Sequence, residues 1–129
     1  MAQYITLPND AAHAVPQLTH LIALPNITLL VVLGNDALSN EAAAYCQLLA
    51  NSGLPDYNTV AFVISKTPGV ILPTLQQLPG NINWANINDA VAVSISPGNN
   101  IASAVVTKEQ FSQYKTSAKV AILEAMANG

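Results

Sequence analysis

The chain of 129 residues contains no arginine and few charged residues of either sign. Charged side chains make up 9% of the sequence, against about 25% in typical soluble domains. Arginine is the residue best suited to bidentate phosphate contacts, and the lysines form no basic stripe, so we do not expect direct nucleic-acid binding. Low charge also means weak repulsion between copies, which favours association.

Cysteine occurs once, as Cys46, which excludes an intrachain disulfide and a cysteine-based metal site. It lies in a helix-forming stretch, where we expect a small buried side chain. The apolar runs are far shorter than the roughly 20 residues that a membrane-spanning helix needs. The first residues lack a basic, then apolar, leader, so we expect no signal peptide and synthesis in the cytoplasm.

Motifs of well-known active sites are missing as well. The sequence has no G-x-x-x-x-G-K-[ST] loop, no dinucleotide-binding glycine pattern and no G-x-S-x-G turn. The two histidines, His13 and His20, have only Asp10 near them in sequence, which is too few ligands for a metal site. We therefore predict no metal and no cofactor, and the balance is against an enzyme.

The strongest feature that is present is the apolar run 27–34, which ends at Gly34-Asn35-Asp36. A short run rich in valine and leucine predicts a strand that is buried on both faces, with helices above and below it. Further strands are predicted at 3–7, 59–64, 90–95 and 101–106. The last two are separated by a strong turn, and an antiparallel hairpin is one arrangement open to them.

Helices are predicted between these strands. The first covers 11–24 and is best formed from Pro16 onward, because proline ends or kinks a helix. The second covers 39–51, and a short third helix begins at Pro73. Trp84 anchors a loop at 81–88. The last helix begins with a Thr107–Gln110 capping box and has an apolar face formed by Phe111, Tyr114, Ala118, Ala121, Ile122 and Ala125.

The alternation of strands and helices predicts an α/β fold over residues 1–129. We expect a layered single domain with a mostly parallel sheet of about four strands and helices packed on it.

Polar residues follow three of the predicted strands, at 34–36, 65–69 and 96–100. Ligands of open parallel sheets bind outside the carboxyl ends of the strands, so these loops predict a site for a small polar ligand. Ordinary turns and helix caps use the same residue types, and this interpretation stays open. The candidate ligand-binding residues are Asn35, Asp36, Ser65, Lys66, Thr67, Asn99 and Asn100.

For function, the sequence favours assembly. The leading hypothesis is a structural subunit that forms a homo-oligomer or larger particle, such as a capsid, connector or tail component of a bacterial virion. The alternative is a small enzyme or ligand-binding module that uses the loops at 34–36, 65–69 and 96–100. A third interpretation is a regulatory domain that pairs with an unrelated chain.

Overall fold

The computed structural model describes residues 3–98 and 100–113. Five strands form one sheet in the order β1-β3-β2-β4-β5. The strands are β1 (Gln3–Thr6), β2 (Thr28–Leu33), β3 (Val60–Ser65), β4 (Ala90–Ile95) and β5 (Ala102–Thr107). The helices are α1 (Ala11–Ile22), α2 (Ala37–Asn51) and α3 (Pro68–Gln76), with short 3₁₀ helices at Pro55–Tyr57 and Trp84–Asp89, and residues 108–113 are also helical.

The central strand is β2, and both of its faces are buried. On one face, Val31 packs with Leu18 of α1 and Ile71 of α3 in a cluster that we call the α1–α3 core. On the other face, Val32 packs with Cys46 of α2 in the α2 core. This confirms the prediction of a two-sided strand with helices on each side.

The α/β class is confirmed, but a mostly parallel sheet of about four strands is not. β1 and β2 each pair parallel with β3, whereas the β2–β4 and β4–β5 pairs are antiparallel. β4 starts at the end of the sheet where β2 ends. Residues 77–89 lead there from the opposite end, where the Ala102 N–H donates to the Pro79 carbonyl at 2.9 Å. The six-residue connection that follows, 96–101, is too short for a parallel crossover, so β5 returns as the predicted hairpin partner.

Two prolines lie inside helices that the sequence placed differently. Pro16 is an interior residue of α1, and Pro73 is an interior residue of α3, which begins at Pro68. The predicted break at Pro16 and start at Pro73 are therefore wrong. Ala14 and Leu18 are fully buried on either side of Pro16, and this burial stabilises α1 despite the lost backbone hydrogen bond.

The capping box at the start of the last helix is confirmed. The Thr107 N–H donates to Gln110 Oε1 at 3.0 Å, and the Gln110 N–H donates to Thr107 Oγ1 at 3.1 Å. Phe111 packs against the α2 core. The other predicted apolar positions of this helix lie outside the described residues: Tyr114, Ala118, Ala121, Ile122 and Ala125.

Candidate functional site

The connections after β2 and β3 leave the sheet on opposite faces. The two strands are parallel neighbours, yet α2 packs on one face and α3 on the other. In an open α/β sheet this arrangement is a topological switch point, and it opens a crevice at the carboxyl ends of the strands where ligands bind.

A cleft of about 270 Å³ lies at this crevice, and we call it the switch-point cleft. Its volume is near the lower end of ligand pockets, which start at roughly 300 Å³. One wall comes from the start of α2 and another from the start of α3, and Lys108 closes the side next to β5. The lining consists of Leu33, Gly34, Asp36, Ser39, Pro68, Gly69, Leu72, Ile87, Ala90 and Lys108.

Two opposite charges meet in the cleft. Lys108 Nζ lies 3.7 Å from Asp36 Oδ2, and the two side chains are 45% and 48% exposed. Half-exposed ion pairs contribute little to stability because water screens them. The Lys108 ammonium can therefore exchange Asp36 for an incoming ligand at small cost.

Asp36 is held in place by the helix that it caps. Its Oδ1 accepts a hydrogen bond from the Ser39 N–H at 3.3 Å at the start of α2. Hydrogen bonding from Ser39 lowers the pKa of the Asp36 carboxyl, and the nearby Lys108 ammonium adds to this. Asp36 is therefore a fixed negative charge at neutral pH.

This cap predicts a pH-dependent stability. Asp36→Ala is expected to lower the free energy of unfolding by about 1 kcal/mol, whereas Asp36→Asn costs less because the amide oxygen still accepts. The folded pKa is lowered, so the contribution of the charge is complete above the unfolded pKa of about 3.9 and disappears as the pH falls through the folded value. Urea unfolding between neutral and acidic pH measures this. A constant difference between wild type and Asp36→Asn across that range would contradict the assignment.

The turn between β2 and α2 is closed by backbone contacts at Gly34. The Gly34 N–H donates to the Ser65 carbonyl at 2.9 Å, which ties the ends of β2 and β3 together. Gly34 has a φ of +115°, and a Cβ there would lie 2.8 Å from Ser39 Oγ. Glycine at this position thus lets α2 begin close to the sheet.

Two serines, Ser39 and Ser65, are buried beside the cleft, and they differ in hydrogen bonding within the described part of the chain. Ser39 Oγ donates to the Leu33 carbonyl at 2.8 Å. The Ser65 hydroxyl has no hydrogen-bond partner among the residues that the structure describes. Ser39 and Ser65 are each 1% exposed, so the two serines are equally buried and differ in their hydrogen bonding.

The two serines therefore make a matched pair of substitutions. Ser39→Ala is expected to lower the free energy of unfolding by about 1–2 kcal/mol, because the Leu33 carbonyl loses its donor. Ser65→Ala is expected to be neutral or stabilising, because it removes a hydroxyl that was desolvated without compensation. Chemical denaturation of both variants measures the difference. A larger cost for Ser65→Ala would overturn this interpretation.

The structure brings some of the predicted site residues together and leaves others apart. Asp36 lines the switch-point cleft, while Asn35 lies beside it with its carbonyl accepting from Asn40 Nδ2 at 3.3 Å. Lys66 is exposed and does not line the cleft. Thr67 Oγ1 is directed to the Asn9 carbonyl at 3.5 Å. The loops 34–36 and 65–69 do meet, but through Gly34, Asp36, Pro68 and Gly69.

The loop 96–100 does not join this site. β4 runs antiparallel to β2, and Ile95 pairs with Leu29 near the start of β2. Asn100 therefore follows β4 at the opposite end of the sheet, where β2 begins. Asn99 lies outside the described residues. The expectation of three converging loops assumed that all the core strands run the same way.

The lysine that lines the cleft with Asp36 is Lys108, whereas the sequence predicted Lys66 as a candidate ligand-binding residue. Lys108 comes to the cleft because β5 ends at the same end of the sheet as β2 and β3. The predicted hairpin of 90–95 and 101–106 places the residue after Thr107 beside the start of β4, and the antiparallel pairing of β4 with β2, which the sequence did not indicate, brings that point to the end of β2.

Metal binding finds little support in the part of the chain that the structure describes. No group of three or more His, Cys, Asp or Glu side chains lies close enough to hold an ion there. His13 Nδ1 contacts Asp10 Oδ2 on the exposed start of α1. None of the described helices has the length and apolar character needed to cross a membrane.

The fold and the site define an α/β domain with a small, mixed polar and apolar cleft at a topological switch point. Comparisons with known protein families, curated proteins and solved structures found no match. The function is therefore argued from the residues of this chain.

Proposed function

We propose that this protein binds a small ligand with an apolar body and a single anionic group in the switch-point cleft. The observation that carries the proposal is the position of the Lys108 ammonium in a cleft that the first turn of α3 also lines. Apolar side chains such as Leu33, Leu72 and Ile87 line the same cleft and suit the body of the ligand.

The start of α3 supports an anionic group. Thr67 makes no side-chain cap to α3, and the first turn of α3 contains no acidic residue. The N-terminus of a helix carries a partial positive charge, which favours anions. In the first turn of α3, Pro68 has no N–H and the Val70 N–H donates to the Thr67 carbonyl at 3.0 Å, so Gly69 is the residue whose N–H can donate to a ligand. A Cβ on Gly69 would meet nothing within 4 Å, so a ligand can approach the backbone there.

Asp36 limits the charge that the cleft accepts. Ser39 keeps it ionised, and it remains in the cleft when Lys108 turns to a ligand. A multiply charged group such as phosphate would be repelled by this carboxylate more strongly than a monoanion. The cleft therefore suits a carboxylate.

Binding is proposed ahead of catalysis because Asp36, the carboxylate of the cleft, is poorly suited to proton transfer near neutral pH. A general acid or base works best with a pKa near the working pH. The pKa of Asp36 is lowered, and its carboxylate already caps α2. Asp36 is therefore suited to holding α2 in place and to favouring monoanionic ligands over multiply charged ones.

Benzoate and benzamide provide a direct test. Apolar cavities of about 150 Å³ hold a benzene ring, so both molecules fit a cleft of about 270 Å³. Calorimetric titration is expected to show benzoate binding at least about tenfold more tightly than neutral benzamide, since a charge-assisted contact is worth about 1.5–3 kcal/mol. Lys108→Met is expected to remove this preference.

Lys66→Met is the matched control, because it removes the same charge from an exposed lysine outside the cleft. It is expected to leave benzoate affinity unchanged. Equal affinities for benzoate and benzamide, or equal effects of the two lysine variants, would overturn the proposal.

Self-association as an assembly subunit is the second candidate, and the edge of the sheet favours it. β5 has no charged residue, and its Ser103 and Ala104 are exposed. In the described sheet β5 pairs with β4 alone. Uncharged edge strands pair readily with other chains. A virion component would use such an edge to contact its neighbours.

Light scattering over a hundredfold concentration range tests this candidate. A species heavier than 13.5 kDa that Ala104→Lys converts to monomer would support it, because an edge lysine opposes strand pairing. A 13.5 kDa species at every concentration would count against it.

A further inference from the structure

The floor of the switch-point cleft is nearly all hydrocarbon. Its most deeply buried lining residues are Leu33, Ser39 and Ala90, which are 4%, 1% and 5% exposed. Leu33 and Ala90 have no polar side-chain atoms, and the Ser39 hydroxyl already donates its proton to the Leu33 carbonyl. The side chains of the floor therefore offer a ligand no hydrogen-bond donor.

The charged groups of the cleft lie at its rim. The side chains of Lys108 and Asp36 are about half exposed, and Gly69 in the first turn of α3 is exposed as well. Burying a carboxylate without hydrogen-bond donors is costly, so the anionic group of a ligand stays at the rim beside Lys108. The apolar end of the ligand then points to the floor.

The volume of the cleft limits how large this apolar end can be. An apolar cavity of about 150 Å³ holds a benzene ring, which corresponds to about 25 Å³ for each carbon. At this density a cleft of about 270 Å³ holds about ten non-hydrogen atoms. An aromatic or short branched carboxylate is of this size, whereas a long acyl chain is larger.

Ala90 has the smallest side chain in the lining of the cleft, apart from the glycines. It is the first residue of β4 and pairs with Thr107 of β5, so the sheet holds its backbone in place. Because so little of Ala90 is exposed, the open space next to it is the cleft. A larger side chain at this position would extend into that space.

We infer that the ligand is a compact aromatic or short branched monocarboxylate whose apolar end rests on the floor, and that Ala90 sets how far this end can extend. The inference rests on the proposed ligand site at Lys108. It adds the direction in which the ligand lies, the size class of its body and the residue that selects this size.

Two benzoates that differ at the far end of the ring test the direction in the wild-type protein. With the carboxylate at the rim, the ethyl group of 4-ethylbenzoate reaches the floor. Calorimetric titration is expected to show that 4-ethylbenzoate binds about tenfold more tightly than benzoate, because its two further carbons are buried against hydrocarbon. This measurement does not depend on how a variant folds.

Ala90→Leu tests the residue that sets the size. It is expected to abolish the tenfold gain, because leucine fills the space that the ethyl group occupies. Ala90→Val adds less volume and is expected to abolish the gain in part, so the result does not depend on the stability of one variant. Ala104→Leu is the matched control: it adds the same side chain at an exposed residue of β5 outside the cleft and is expected to keep the gain.

The outcomes separate this inference from the proposed function. Equal affinities of the wild type for benzoate and 4-ethylbenzoate would overturn the inference, as would a gain that persists in Ala90→Leu. Either result leaves the preference for benzoate over benzamide, and with it the proposed function, in place. If the wild type shows no preference for benzoate over benzamide, the proposed function fails and this inference fails with it.

Discussion

Replacing Phe62 by alanine is expected to lower the free energy of unfolding by about 3–5 kcal/mol. Phe62 is 1% exposed and heads the fully buried side chains ranked by volume. It lies in the middle of β3, in register with Tyr4 of β1 and Leu30 of β2. Its ring centroid is 6.1 Å from that of Tyr57. Alanine removes these contacts and leaves a cavity between the sheet and α2 that the rigid strands cannot close.

Urea unfolding measures this cost, with Phe62→Leu as the control. Leucine keeps most of the apolar volume, so its cost is expected to be smaller by about 2 kcal/mol or more. Domain stabilities of about 5–15 kcal/mol leave the alanine variant folded in water unless the wild type is at the lower limit. A cost for alanine no greater than that for leucine would contradict the placement of Phe62 in the α2 core.

Gly80→Ala is expected to cost about 2–4 kcal/mol, through backbone strain combined with a clash. Gly80 has a φ of +146°, and a Cβ there would lie 2.4 Å from the Ala102 carbonyl oxygen. The Ala102 N–H donates to the Pro79 carbonyl at 2.9 Å, so the start of β5 is tied to this turn. Relief of the clash requires the backbone of β5 to move.

Gly53→Ala is the matched control for this change. Gly53 also has a positive φ, at +71°, but a Cβ there meets nothing within 4 Å. It is therefore expected to cost about 1 kcal/mol, from the left-handed conformation alone. Equal unfolding midpoints for the two alanine variants would show that the contact between Gly80 and Ala102 does not constrain β5.

Elements whose signal is local were predicted correctly from the sequence. The run 27–34 predicted a central two-sided strand, and 90–95 coincides with β4. The Thr107–Gln110 capping box forms both of its hydrogen bonds. In each case neighbouring residues alone determine the structure, through burial pattern or through a side chain that bonds the adjacent backbone.

The direction of β4 could not be read in the same way. A strand buried on both faces shows a continuous apolar run whether its neighbours are parallel or antiparallel. Its direction depends on the path of residues 77–89, which run from beside the start of β5 to the start of β4. Pro16 and Pro73 misled for a related reason, since burial of the surrounding helix outweighs the local cost of proline.

The same long-range dependence limited the prediction of the site. Asp36 lines the cleft because it follows β2 directly and caps α2, and both features are local to it in the sequence. Lys66 follows β3 directly but is exposed, while Lys108 reaches the cleft from the far end of the hairpin. Which lysine faces Asp36 is decided by strand order, and strand order is not encoded near either lysine.

The most direct test of the switch-point cleft is a titration of the wild-type protein with benzoate, followed residue by residue by amide chemical shifts. The largest changes are expected to fall on Gly34, Gly69 and Lys108, and to saturate together. Changes centred on residues outside the cleft, or no saturable change at any of the three, would contradict a ligand site at the carboxyl ends of β2 and β3.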